Sequence, residues 1–295
     1  MTAPFDPGFH DDISADTYHA DPCPAPSLSA SLAHILLSQS PRHAWTAHPR
    51  LNPAFERETD TRFDLGTAVH ALLLEGEHVF EMVNADDWRT KAAQEARDRI
   101  RAAGKIPLLV EQAEAVGQMA KAARMQLAAF DPPVPFTEGR PEETLIWQED
   151  NGIWCRARLD WIARDESRIE DYKTTSGSAQ PDAWTRGPLF ANGYAIQAAF
   201  YARGVTRLAG RRAPEPDFRF VVQETFPPYA LSVIGLGPDV WHFATKQVQW
   251  AIKLWGECLE TNVWPAYPVA VCSAQLPPWI EAAWVEREHH ERGAP

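Results

Sequence analysis

The sequence predicts an α/β (α+β) fold in which helices flank a central mixed β-sheet, and three observations carry that prediction. The first half has helix-period apolar positions, as at Leu65, Ala68, Val69, Leu72 and Leu73. From Glu143 the pattern changes to short alternating runs, with Asp150-Asn151-Gly152 placed as a hairpin turn. Helical patterns then interleave with two further strand-like runs as far as residue 259. Stacking helices on a sheet buries both kinds of apolar face in one domain.

Taken in order, residues 1–25 are rich in Pro and Asp and read as a flexible acidic lead-in. A helix follows through Leu32, His34, Ile35, Leu36 and Leu37, with Ser29 or Ser31 as its N-cap and Pro41 beyond its end. Residues 64–75, 86–103 and 111–128 read as three more helices, the last two separated by Gly104 and Pro107. The proline-rich stretch Asp131 to Pro141 is a loop. Strands are expected over 144–148, 153–162 and 168–173, a helix over 194–203, strands over 218–223 and 230–236, and a long helix over 238–259. The expected organisation is one domain over 26–284, with a charged tail over 285–295.

At 295 residues, 45% of them apolar and 12 of them Trp, the chain can bury a substantial core. No apolar run approaches the roughly 20 residues that cross a bilayer. The start MTAPFDPGFHDD has neither the basic nor the apolar region of a signal peptide, so a cytoplasmic location is expected and no membrane partner. Cys23, Cys155, Cys258 and Cys272 are scattered, which suggests free thiols and no zinc site. The net charge of −12 argues against a protein that coats nucleic acid electrostatically. Five aspartates in residues 1–25 carry much of it, while residues 87–105 and 203–219 are each locally basic at +3. Such clusters fit either a DNA-facing channel or a solvated face.

The chemistry concentrates at Asp160 and the run Ile169-Glu170-Asp171-Tyr172-Lys173. Strand side chains alternate faces, so Asp171 and Lys173 point the same way. In the preceding run Ile153, Cys155, Ala157, Leu159 and Trp161 share one face, and Arg156, Arg158 and Asp160 share the other. Two carboxylates on adjacent strands suit a hard divalent cation, and a neighbouring lysine can polarise a water or a phosphoryl oxygen. His70 sits on the second helix beside an apolar face and needs a polar partner, for which a metal is one candidate. Glu143 opens the first strand of the hairpin, at the sheet edge where Asp160 ends the second. Tyr194, Gln197 and Tyr201 form a stripe on the next helix, able to orient a phosphate or stack on a base.

Taken together, GTAVHALLLEG, EETLIW, GIWCRARLDWIA, IEDYKTT and GYAIQAAFY resemble the PD-(D/E)xK nuclease superfamily, and most of all its RecE-type (exodeoxyribonuclease VIII-like) phage and prophage exonucleases. The resemblance implies a restriction-endonuclease-like core and a Mg²⁺-dependent exonuclease, with Mn²⁺ able to substitute. It implies 5′→3′ digestion of linear double-stranded DNA, leaving 3′ strands for recombination by annealing. By the same analogy His70, Asp160 and Asp171 bind the metal, Lys173 activates the water, and Gln197 and Tyr201 assist, with Glu143 a further candidate. Ser29, Ser31, Arg42 and Tyr194 are then candidates for DNA contact. The implied partners are double-stranded DNA ends, a single-strand annealing protein, and copies of the chain in a ring-shaped homo-oligomer. Some superfamily members hold an iron–sulfur cluster through one early and three late cysteines; only two late cysteines stand here, so no cluster is expected. Two other readings are a structure-selective or single-strand nuclease of repair or defence, and a catalytically inactive DNA-end-binding module.

Overall fold

A computed structural model describes residues 5–56, 65–130, 136–210 and 214–292. It divides into two compact units, Met1–Pro265 and Ala266–Pro295. The first holds strands β1 (Gly8–His10), β2 (Phe80–Val83), β3 (Ile106–Leu109), β4 (Gly139–Gln148), β5 (Trp154–Ala163), β6 (Arg168–Thr175), β7 (Asp217–Glu224) and β8 (Leu231–Gly235). Its helices are α1 (Ala15–His19), α2 (Ala30–Ser38), α3 (Pro41–Thr46), α4 (Leu65–Leu74), α5 (Lys91–Ala102), α6 (Val110–Ala128), α7 (Pro181–Arg186), α8 (Pro188–Ala191), α9 (Tyr194–Ala209) and α10 (Pro238–Thr261).

Six strands form a mixed sheet in the order β1-β4-β5-β6-β7-β8, antiparallel throughout except for the parallel pair β6/β7. One face carries Leu145, Trp147, Cys155, Ala157, Leu159, Phe220 and Val222, packed against Leu32 and Leu36 of α2, Phe200 of α9 and Trp255 of α10. The other presents Tyr172 and Val221 to Val69 and Leu72 of α4 and Met119 of α6. The expected sheet flanked by helices is therefore what forms. Strands β2 and β3 pair in parallel as a separate two-stranded sheet beside α5.

Three expectations are corrected. Residues 5–25 are not a loose lead-in, because β1 pairs with β4 at the sheet edge and Asp21 is buried among polar partners. Trp161 leaves the face of Leu159, and Ile162 takes its place in that core, while Trp161 packs edge-on to Phe136. The expected boundaries near 284 also shift, since the first unit closes at Pro265 and helix α11 of the second runs over Pro278–Arg292. Ser29 resolves the N-cap of α2, accepting the Leu32 N–H at 3.4 Å. Among the described residues no helix is long and apolar enough to cross a membrane.

Candidate active site

Strands β5 and β6 pair only at Trp161/Glu170 and Ile162/Ile169, and then diverge. At the mouth of that fork Asp160 Oδ2 accepts the Tyr172 N–H at 2.8 Å. This hydrogen bond pins the Asp160 carboxylate where β6 begins to carry Asp171 and Lys173. Both of these face α9. Gln197 Nε2 donates to Asp171 Oδ2 at 2.8 Å, the Lys173 ammonium contacts Asp171 Oδ1, and it also lies 5.3 Å from the centroid of the Tyr194 ring. From the opposite side α4 brings His70, whose Nε2 is 3.3 Å from Asp160 Oδ2.

Two glycines allow these approaches. A Cβ on Gly66 would lie 2.2 Å from Thr174 Oγ1, so α4 reaches β6 closely enough to place His70 only because residue 66 has no side chain. Gly193 starts α9 at φ +71°, and a Cβ there would stand 2.4 Å from the His34 ring. We expect Gly66→Ala to destabilise the chain by about 2 kcal/mol in urea unfolding, in the range of overpacked cores. Adding Thr174→Ala should recover most of that loss.

The cluster is half-open. Asp171 is fully buried, whereas His70, Glu142, Asp160 and Lys173 keep between 18% and 24% of their side chains exposed, enough to meet a ligand. Burial and the negative charge of Asp160 push Asp171 up to about 7, against the opposing pull of Lys173. Asp160 moves the other way. Burial opposes its ionisation, but Lys173, His70 and the Tyr172 N–H together hold it below the usual carboxylate range. Burial likewise disfavours charge on His70 and Lys173, yet the surrounding carboxylates raise both.

The sequence expectations fare unevenly. His70, Asp160, Asp171, Lys173, Gln197 and Tyr194 are brought together, although Tyr194 serves as a ring beneath Lys173, stacked on Trp184 at 5.5 Å. Tyr201 is buried against Phe218, its hydroxyl deprotonation disfavoured by that burial, and it adjoins the cluster through Gln197, which itself reaches the acid. Glu143 is not at the cluster: it is buried beside Arg140, whose Nε is 3.3 Å from its Oε2. Glu142 stands there instead, 3.6 Å from His70 Nδ1. Counting the ladder outward from Gln148/Trp154 sets Pro141 opposite Trp161 and Glu143 opposite Leu159, which leaves Glu142 opposite Asp160. The hairpin turn held that register in the sequence, but the alternation breaks at this point and conceals it. Ser29 and Ser31 are hydrogen-bonded to each other at 3.0 Å, and the Arg42 guanidinium stacks on Trp45 at 4.2 Å. None of these contacts touches the acids.

Among the described residues no group of three or more His, Cys, Asp and Glu side chains is already gathered to hold a metal ion. The donors nonetheless fit a hard divalent cation. Burial and the neighbouring Asp160 charge together raise Asp171, and a cation between the two carboxylates would relieve that repulsion.

A family model described as a PDDEXK-like domain of unknown function (DUF3799) matches residues 34–275. No curated protein matches the sequence. Among solved structures, the crystal structure of a protein named "Putative exonuclease" from Eubacterium rectale superposes with a TM-score of 0.54. It shares 12% identity, and the match covers 92% of this chain and 97% of that one. At that identity the likeness is one of fold.

Proposed function

The chain belongs to the PDDEXK-like family, and from that premise we propose that it is a divalent-metal-dependent nuclease that hydrolyses phosphodiester bonds of DNA. One observation carries the reading: Asp160 and Asp171 converge at the fork of β5 and β6 with the Lys173 ammonium against Asp171. Asp160, Asp171 and His70 would hold the cation. When bound, it lowers the pKa of a water and neutralises charge on the leaving oxygen. Lys173 is held as a cation, so its part is to orient the water or bind a phosphoryl oxygen rather than to take up a proton. Gln197 holds the Asp171 carboxylate by its hydrogen bond, and the Tyr194 ring lies beneath the Lys173 ammonium.

Within this class we favour an exonuclease on linear duplex DNA with Mg²⁺ as the metal, degrading 5′→3′ and leaving 3′ single strands for annealing. The motif order supports that choice, and the printed name of the Eubacterium rectale protein supports its exonuclease part alone. End-labelled linear, nicked, circular and single-stranded DNA, each incubated with Mg²⁺ or EDTA, tests it. The expected result is Mg²⁺-dependent loss of the 5′ label from linear duplex with circles untouched. Cutting of circles or preference for single strands would move the chain to a structure-selective nuclease. Uncut DNA of every form would leave only end binding.

A further inference from the structure

Glu142 has φ +54° in the body of β4, whereas, among the described residues, the other non-glycine residues of positive φ (Asp21, Glu138, Glu166, Tyr229 and Asn262) lie outside the strands. A residue other than glycine in that conformation is strained and persists where its surroundings enforce it. Arg158 supplies the enforcement. Its Nε donates to Glu142 Oε2 at 2.7 Å, and its NH1 donates to the Ile13 carbonyl at 2.7 Å and to Thr144 Oγ1 at 3.2 Å. A guanidinium fixed by the N-terminal segment and two strands thereby fixes the carboxylate. Glu142 Oε1 then stands 3.6 Å from His70 Nδ1, and the imidazole turns its other nitrogen, Nε2, toward Asp160 at 3.3 Å.

We propose that Glu142 is a positioning residue: anchored by Arg158, it engages Nδ1 of His70 and so presents Nε2, on the Asp160 side, to the catalytic cation. The inference rests on the nuclease reading and extends it to the far side of the histidine. A carboxylate behind a histidine ligand sets its tautomer and ring orientation, and its removal typically weakens metal binding by about 10- to 100-fold. Direct coordination by Glu142 is the poorer account, since one of its oxygens is already committed to Arg158.

The test titrates the full chain with Mn²⁺ by calorimetry in the absence of DNA, so that the readout is independent of cleavage. Glu142→Gln should weaken Mn²⁺ binding by about 10-fold or more, and Glu142→Asp, which keeps the charge but retracts it, should lose less. In a His70→Ala background Glu142→Gln should cost nothing further, because its effect passes through the histidine. An equal loss with and without His70 would overturn the proposal, as would unchanged affinity in a folded Glu142→Gln chain. If the unsubstituted chain binds no Mn²⁺, the nuclease reading itself falls and this inference falls with it.

Discussion

Lys173→Ala and Asp171→Asn should each slow digestion of a linear duplex by about a thousand-fold or more, equivalent to roughly 4 kcal/mol of lost transition-state stabilisation. Single-turnover assays under saturating Mg²⁺ measure it, with circular dichroism showing that the fold persists. The size follows from what the two groups are. The Lys173 ammonium is confined between Asp171 and the Tyr194 ring, so it needs no rearrangement to meet a charged phosphate, and fixed charge of this kind dominates many active sites. Lys173→Gln, polar but neutral, should fall nearly as far as alanine. A rate within tenfold of the unsubstituted chain would remove Lys173 from the chemistry. Asp171 adds a pH signature. Its carboxyl is raised to about 7, so at lower pH a cation must displace a proton to bind. Mn²⁺ affinity should therefore strengthen as pH rises through about 7, and this dependence should become shallower in Asp171→Asn, where only His70, itself raised, still exchanges a proton for the cation.

The sheet, its flanking helices and six members of the acid cluster are legible in the sequence because each rests on local pattern. Alternation located β4 to β8, helical periodicity located α2, α4, α5, α6, α9 and α10, and the Asp-x-Lys spacing placed Asp171 and Lys173 on one face. Glu142 is hidden in the sequence because φ +54° flips the alternation beside it, which leaves Glu143 as the apparent neighbour of Asp160. Trp161 was misplaced by the same break on the partner strand. These irregularities occur where β5 and β6 separate to make room for chemistry, and a fixed period of two cannot describe such a place. Strand β1 was missed for another reason: three residues at a sheet edge carry too little pattern, and their order comes from partners more than a hundred residues away.

Asp21→Asn should destabilise the chain by about 3 kcal/mol at neutral pH, although composition placed this residue in a flexible segment. Its side chain is wholly buried and multiply bonded. It accepts from Ser27 Oγ at 2.6 Å and Ser27 N at 3.0 Å, and lies 3.2 Å from His48 Nε2 and 3.3 Å from Arg156 NH1. His48 Nδ1 accepts the N–H groups of Arg50 and Leu51, so the proton is on Nε2, facing Asp21 and the Ser27 carbonyl. Burial alone would favour the neutral acid, but the His48 hydrogen bond, Arg156 and Ser27 outweigh it and hold the carboxyl at about 2. A depressed carboxylate contributes stability above its unfolded pKa near 3.8 and loses it as pH falls through about 2, an amount of about 2.5 kcal/mol. Asparagine forfeits that contribution and leaves the Arg156 guanidinium buried without its counter-charge. Urea unfolding at pH 7 and at pH 3 separates these effects: the deficit of Asp21→Asn should be full at pH 7 and smaller at pH 3, where part of the unsubstituted chain's advantage has gone. A deficit below 1 kcal/mol at pH 7 would mean that β1 and α1 are held to β4 and β5 by their apolar contacts, through Ile13, Tyr18 and Ile146, and not by this network.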